Sequence, residues 1–472
     1  MIYKTDLQTI SPYLKDASNF AGGSADKVII PESFDELTSF LESNKHLVTI
    51  AGAGTGMTAS RIPESGYIIS LERFDELGNP ENGFIDVGPA VSLANLYEHL
   101  ESTKYFYPPN PTETLASIGG TIATNASGSR SYKYGATRDY ILEADIVLAD
   151  GKSVTLKRGL SINDPLKFSN GQELFFPEIT YTSPKCKNAA GYYVRPGMDW
   201  LDLFIGSDGT LGIFTRIRLK LLPRPASFIS GILFFHNEEE CWDLVDSIKK
   251  SDTAFISPCS LEYFDGRSLI RLRKKFKNIP LNARAALFFE NNIDRQMDYE
   301  SVFATWFDYL KEKGALWDDS WFAQSPSDLQ RFHEFRHSIP VLINEENSRL
   351  GRTKIGTDMA VPDVRLIDMM TFYRNELEGA NIDSVMFGHL GDNHLHINLL
   401  PDLNDIQKAQ ELYDILVKRI LEWKGTVSAE HGIGKLKKKY FLQMVGESSL
   451  ADLKAVKGIF DPRFILGRGN IF

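Results

Sequence analysis

The sequence predicts an α+β protein of two large units, and three observations lead there. The chain has 472 residues, more than one ordinary core organises, and a hydrophobic content of 43% that can bury two or three. Residues 1–225 alternate short strands and helices with glycine-rich turns. From 226 to 424 apolar strands are interleaved with long amphipathic helices, the pattern of a second α+β domain. The remainder, 425–472, is too short to fold alone and is expected to dock back on the first domain.

Taken in order, VIIPES (28–33) reads as a strand stopped by proline, FDELTSFLESN as an amphipathic helix, and LVTIAGAGTG as a strand running into glycines. ILEADIVLADGKSVTL (141–156) reads as two strands around an Asp-Gly turn, a hairpin signal. GSDGTLGIFTRIRLKLLPRP ends in a strand with Arg216, Arg218 and Lys220 on one face, closed by prolines near 225. Beyond it, ECWDLVDSIKKS, YESVFATWFDYLKEKG and SDLQRFHEFRHSIPVLINEENS are helical. SGILFFH, ARAALFFE and DSVMFGH are the strands between them.

With 52 basic and 62 acidic residues the net charge is −10, which argues against a nucleic-acid partner, because phosphate binding needs a basic field. The run Lys435-Leu-Lys-Lys-Lys439 reads as a solvated helix face. Cys186, Cys241 and Cys259 are widely spaced, so neither a disulfide framework nor a thiolate metal site is expected. The N-terminus lacks a basic start followed by an apolar run, and no apolar stretch is long enough to span a bilayer. The expected location is the cytoplasm, with peripheral attachment at the inner membrane left open.

AGAGTGMTAS (51–60) follows a strand, and its backbone amides are able to cradle a pyrophosphate because glycine permits close approach. It is neither GxGxxG nor a Walker motif. A second stretch, NPTETLASIGGTIATNASGSRSYKYGATRDYI (110–141), carries few large apolar side chains and makes a poor core. It makes sense if its backbone wraps a large cofactor, with Ser117, Thr121 and Asn125 as hydrogen-bonding side chains.

These two stretches, followed in order by DWLDLFIGSDGTLGIFTRIRLKLLPRP, resemble the FAD-binding half of the vanillyl-alcohol-oxidase/PCMH flavoprotein superfamily over roughly 28–225. The resemblance implies a two-part PCMH-type FAD-binding domain with a cap domain built on an antiparallel sheet. It places the FAD phosphates on Gly52, Gly54, Thr55, Gly56 and Met57. The rest of the flavin falls to Ser117, Gly119, Gly120, Thr121, Asn125 and Ile213, with a C-terminal contact at Asn470, although LGRGNIF departs from the LNPGK-like close of many relatives. Some relatives bind flavin covalently through a histidine in or near the first loop; this loop has none, and His46 precedes the strand, so the expectation is non-covalent FAD.

HLGDNHLHINLL (389–400) holds three of the nine histidines. In a strand, His394, His396 and Asn398 share one face and Leu395, Ile397 and Leu399 the other. The four residues Leu-Gly-Asp-Asn can fold His389 back beside His396. Two imidazoles and a carboxylate with an open position suit a catalytic divalent metal, while histidines hydrogen-bonded at a strand end are the structural alternative. SAEHGIGKLKKKY supplies Glu430 and His431, and its Gly432 and Gly434 would let backbone approach a ligand.

GHLGDNHLHIN followed by AEHGIG resembles the D-2-hydroxyacid dehydrogenase branch of that superfamily, which includes D-lactate, D-2-hydroxyglutarate and glycolate dehydrogenases. The resemblance assigns a metal, usually zinc, to His389, His396 and Glu430, a substrate contact to Asn398 and the base to His431. Relatives commonly read H-x-G-D-G-N-L-H; here Asn393-His394 stands in place of Gly-Asn, which leaves the role of His394 open. Arg336, and less firmly Lys354, fall where relatives bind the substrate carboxylate, and an arginine fork suits a planar carboxylate. The implied reaction is oxidation of a D-2-hydroxy acid to the 2-oxo acid with hydride transfer to FAD. Electrons then pass to a separate acceptor such as a quinone, an electron-transfer flavoprotein or a cytochrome, and a homodimer is allowed. The rivals are an alkylglycerone-phosphate-synthase-like transferase and a non-catalytic flavoprotein subunit.

Overall fold

The computed structural model describes residues 1–168, 170–251 and 255–472. Two four-stranded sheets make the first domain. In one, Lys27–Ile30, Tyr67–Ser70 and Val48–Ala51 run parallel, with Ile2–Lys4 antiparallel at the edge. In the other, Phe84–Val87, Ile213–Lys220, Ile141–Val147 and Ser153–Lys157 lie side by side, all antiparallel. The expected hairpin is present, turned at Gly151 with a φ of 82°.

Local chemistry explains why these segments hold. The helix Phe34–Ser43 starts where the Ser33 hydroxyl accepts the amide of Glu36, with Asp35 and Glu36 in the first turn and Leu37 and Leu41 buried one turn apart. Such a cap contributes about 1 kcal/mol, and the acidic side chains complement the positive end of the helix. Arg216 pairs with Asp86 at 2.8 Å and Asp145 at 2.7 Å, binding three strands of the second sheet across its polar face.

The second domain is an eight-stranded antiparallel sheet. Its order runs Trp321–Phe322, Ser227–Phe235, Ala285–Ile293, Pro258–Asp265, Ser384–His389, His394–Leu399 and Ile355–Gly356, with Met359–Ala360 also paired to His394–Leu399. The alternation in Ser227–Phe235 sends its side chains into two cores. Leu233 and Phe235 pack with Trp242, Val245 and Trp306 from the helices Glu238–Lys249 and Tyr299–Lys311. Ile232 and Phe234 pack with Leu269, Phe335 and Ile339 from Gly266–Leu272 and Pro326–Leu350. The sheet is therefore helix-covered on both faces, and a charged side chain within it needs a partner or a ligand.

The C-terminal segment returns to the first domain as expected. After the helical stretch Lys438–Phe460, which has non-helical backbone at Gly446, Leu466 pairs in parallel with Val48. Val48 donates to the Ile465 carbonyl and Gly467 to that of Val48, each at 2.8 Å. The two domains are also tied directly. Arg130 bridges to Glu290 at 3.1 Å, Lys133 reaches the Asn292 amide oxygen at 2.6 Å, and the Ser131 hydroxyl donates to Asp392 at 2.5 Å. These ties fix the small-residue stretch 110–141 against the histidine hairpin. Among the described residues no helix is long and apolar enough to cross a membrane.

Candidate active site

Between the domains lies a cleft of about 1650 Å³. It is lined by Gly52, Gly54, Thr55, Gly56 and Met57, by Ser117, Gly119, Gly120, Thr121 and Ile213, and by Arg336, Lys354, His389, His396, Asn398, Glu430 and His431. Sequence segments more than 300 residues apart thus meet at one space.

The glycine positions fit a cofactor cradle. The Ser117 hydroxyl caps the short helix Ile118–Ala123 by accepting the Gly120 amide at 3.3 Å, and a Cβ at Gly52 would sit 3.1 Å from that hydroxyl oxygen. A Cβ on Gly119 would meet Pro89 at 2.8 Å, where the Gly119 amide donates to the Pro89 carbonyl at 2.8 Å, so only glycine lets these loops approach each other. The donor set and the size of the space fit FAD. His46 packs its ring against Tyr67, centroids 4.3 Å apart and planes tilted by 32°, away from the residues that line the cleft.

Two residues expected on the flavin, Asn125 and Asn470, also bond within the protein. The Asn125 carboxamide accepts from the Arg138 amide at 3.0 Å and donates to the Asn188 carbonyl at 3.2 Å, holding a backbone turn with a φ of 48°. Asn470 donates to the Ser60 and Asp208 carbonyls and accepts from Lys435 at 2.7 Å. Both tie neighbouring loops together.

The hairpin of Ser384–His389 and His394–Leu399 places Phe387 opposite His396, and the tight turn Leu390–Asp392 brings His389 back beside the second strand. The rings of His389 and His396 are 5.5 Å apart, and His394 lies 4.6 Å from His396. Glu430 enters from the C-terminal segment. Its carboxylate lies 3.4 Å from His389 Nε2 and 3.3 Å from His396 Nε2, and 3.9 Å from His394 Nδ1. Three imidazoles and a carboxylate with converging ligand atoms are a donor set a divalent cation fits.

Each outer partner is now visible. Glu262, on the buried strand Pro258–Asp265, lies 2.6 Å from His389 Nδ1 and 3.2 Å from Arg336 Nε. Burial alone would raise the Glu262 carboxyl, but the charges of His389 and Arg336 outweigh it and hold the group far below the carboxylate range. Burial disfavours protonation of His389, yet Glu262 lifts the ring to about 9. A cation on Nε2 would take the place of that proton, and the same carboxylate would then strengthen the ring as a ligand. Lys187, almost fully buried, lies 3.1 Å from Glu430 and 3.6 Å from Asp392.

His431 sits beside this cluster, with Nε2 at 3.6 Å from Glu430 and Nδ1 at 3.1 Å from Asp358. Burial works against the Asp358 carboxylate, but His431 and Lys437 hold its pKa well below normal. Gly432 and Gly434 do allow a close approach, though to protein. At φ of 75° and 49° they bring the amides of Ile433 and Gly434 to 2.9 and 3.0 Å from the buried Asp208 carboxylate, and a Cβ on Gly434 would strike the Thr58 carbonyl. The Glu430-His431 loop is thereby pinned to the first glycine loop.

Arg336 is buried and paired with Glu262 while still lining the cleft, one turn before Pro340, which interrupts the helical hydrogen bonding. Lys354 donates to Asn344 at 2.9 Å, and burial lowers its pKa. Asn398 is buried at the same wall, where a Cβ on Gly356 would come within 3.0 Å of its carbonyl oxygen. Glu262, Asp358 and Lys187 were not singled out from the sequence; the signal available was a lone charge in a strand or turn with no other polar role, as in CSLEYF.

Residues 224–471 match the family of FAD linked oxidases, C-terminal domain, and residues 25–157 match the FAD binding domain. The chain is 28% identical to the glycolate oxidase subunit GlcD of Bacillus subtilis over 98% of its length and 92% of that protein. It is 28% identical to a D-lactate dehydrogenase of Anaerostipes hadrus, covering 93% and 87%, and 25% identical to a D-2-hydroxyglutarate dehydrogenase of Stutzerimonas stutzeri, covering 99% and 95%. A solved alkyldihydroxyacetonephosphate synthase shares the fold with a TM-score of 0.68 at 13% identity, over 98% of this chain and 81% of that one. With its glycine cradle and the match extending over more than half of its length, the chain belongs to the FAD-linked oxidases and is a flavoprotein oxidoreductase of that family.

Proposed function

We propose that this protein is a metal-assisted dehydrogenase that oxidises a D-2-hydroxy acid to the 2-oxo acid, with non-covalently bound FAD. The observation carrying this reading is that one cleft is lined both by the flavin cradle and by His389, His396, Glu430 and His431. The hydroxy-acid names of the relatives point the same way.

Arg336 and Lys354 pair with the substrate carboxylate; Asn398 supplies a neutral hydrogen bond. His389, His396 and Glu430 hold a divalent ion, zinc being the family's usual choice. His431 removes the hydroxyl proton at Nε2, and Asp358 behind Nδ1 fixes the ring and stabilises its charge. When bound, the ion would supply a Lewis acid that lowers the pKa of the hydroxyl, and the flavin would supply an acceptor for the hydride from the substrate's Cα. The electrons then leave to a separate acceptor, a quinone, an electron-transfer flavoprotein or a cytochrome.

Steady-state reduction of an artificial dye with a panel of D- and L-2-hydroxy acids tests the reading. One D-acid is expected to support turnover. No turnover with any acid, by protein holding flavin and metal, would favour a transferase or a non-catalytic subunit of a complex.

A further inference from the structure

His394 stands where the motif of relatives has asparagine, and its surroundings are not those of a packing residue. Its side chain is fully buried, yet neither ring nitrogen completes a hydrogen bond of ordinary geometry. A buried imidazole left so costs stability unless a ligand or ion completes it.

The three rings of the cluster share one arrangement. His389 turns Nδ1 to Glu262 at 2.6 Å and Nε2 to Glu430. His396 turns Nδ1 to the Thr357 carbonyl at 3.4 Å and Nε2 to Glu430. His394 turns Nε2 to Asp358 at 2.9 Å and Nδ1 to Glu430 at 3.9 Å. Each ring thus has an outer nitrogen against an oxygen acceptor and an inner nitrogen facing the same carboxylate. That is the pattern of imidazoles oriented to hold a cation, and either ring nitrogen can serve. Two ligands on one ion with bonds of about 2.1 Å are separated by roughly 3.0–3.4 Å, so the contacts of His389 and His396 already match and His394 lies about half an ångström beyond.

Resting on the metal-centre reading above, we propose that His394 is a third imidazole ligand, bound through Nδ1, and that the ion is held by three histidines and Glu430. Asp358 then serves two imidazoles at once, orienting His394 through one oxygen and His431 through the other. The consequence is a change in coordination number. Four protein donors leave no vacant position on a four-coordinate ion, so a 2-hydroxy acid entering through its hydroxyl and one carboxylate oxygen makes the ion six-coordinate. Such a site suits an ion at ease with six ligands better than zinc, which prefers four.

The test uses full-length flavin-loaded protein stripped of metal and titrated with Co²⁺ or Zn²⁺ alone. In the Co²⁺ form, proton NMR is expected to show three hyperfine-shifted, exchangeable imidazole N–H signals, one for each ring. By chelator competition, His394→Asn is expected to bind Zn²⁺ and Co²⁺ about a hundredfold more weakly than the wild type while keeping its flavin. Two N–H signals in the wild type, with unchanged affinity in His394→Asn, would overturn this inference and leave His394 as a partner of Asp358 only. The metal-centre reading itself falls on a different result: a wild type that takes up neither ion, or a His389→Ala variant that holds them as tightly as the wild type.

Discussion

The carboxylate of Glu262 lies 2.6 Å from Nδ1 of His389 while its other oxygen meets Arg336, so one buried acid orients an imidazole of the cluster and an arginine that lines the cleft. Replacing it with glutamine keeps the shape and removes the charge. Glu262→Gln is expected to lower divalent-metal affinity by about 10–100-fold without loss of flavin, measured by chelator competition. Unchanged affinity would show that His389 needs no such support.

His431 should be dispensable for binding and indispensable for turnover. His431→Ala is expected to retain flavin and metal but to slow anaerobic flavin reduction by about 10²–10⁴-fold. A near wild-type rate in stopped-flow would remove it from the proton-transfer role.

Arg336 and Lys354 are expected to act mainly on binding. A charge-assisted hydrogen bond contributes about 1.5–3 kcal/mol, so Lys354→Ala should raise KM by roughly 10–100-fold with kcat little changed. Arg336→Lys should do likewise, because an ammonium cannot reproduce the planar fork. A KM unchanged in both variants would place the substrate carboxylate elsewhere.

The cap domain carries its own pH dependence. Burial and the neighbouring Asp265 raise Glu238 to about 7 from an ordinary 4.5, so the folded chain keeps a proton that the unfolded chain releases. Stability from this group is complete below the unfolded value and is lost as pH rises through about 7, a loss on the order of 3 kcal/mol. Glu238→Gln should flatten that decline, read from denaturant midpoints at about pH 5 and about pH 8. An equal decline in wild type and variant would assign it to other groups.

What the sequence revealed depended on whether chemistry left a local pattern. The alternation in LHINLL and the four-residue turn before it were enough to bring His389, His394 and His396 together, because a strand's period of two assigns faces without knowledge of the fold. The glycine loops were legible because a stretch so poor in large side chains has no core to make. Asn125 and Asn470, expected on the flavin, hold neighbouring loops together, because a small polar residue in such a stretch serves equally as ligand or as framework. Glu262, Asp358 and Lys187 left no local trace. They belong to segments far apart in the chain, and only the tertiary meeting of cap sheet, C-terminal loop and flavin domain gives them partners.

The most direct test of the central claim is the absorbance of the bound flavin under anaerobic conditions, followed while D- and L-2-hydroxy acids are added before and after chelation. The account predicts that one D-acid bleaches the flavin, that its L-enantiomer does not, that chelation abolishes the bleaching and that added divalent metal restores it. A flavin that stays oxidised with every acid in metal-loaded protein, or that bleaches equally well after chelation, would contradict it.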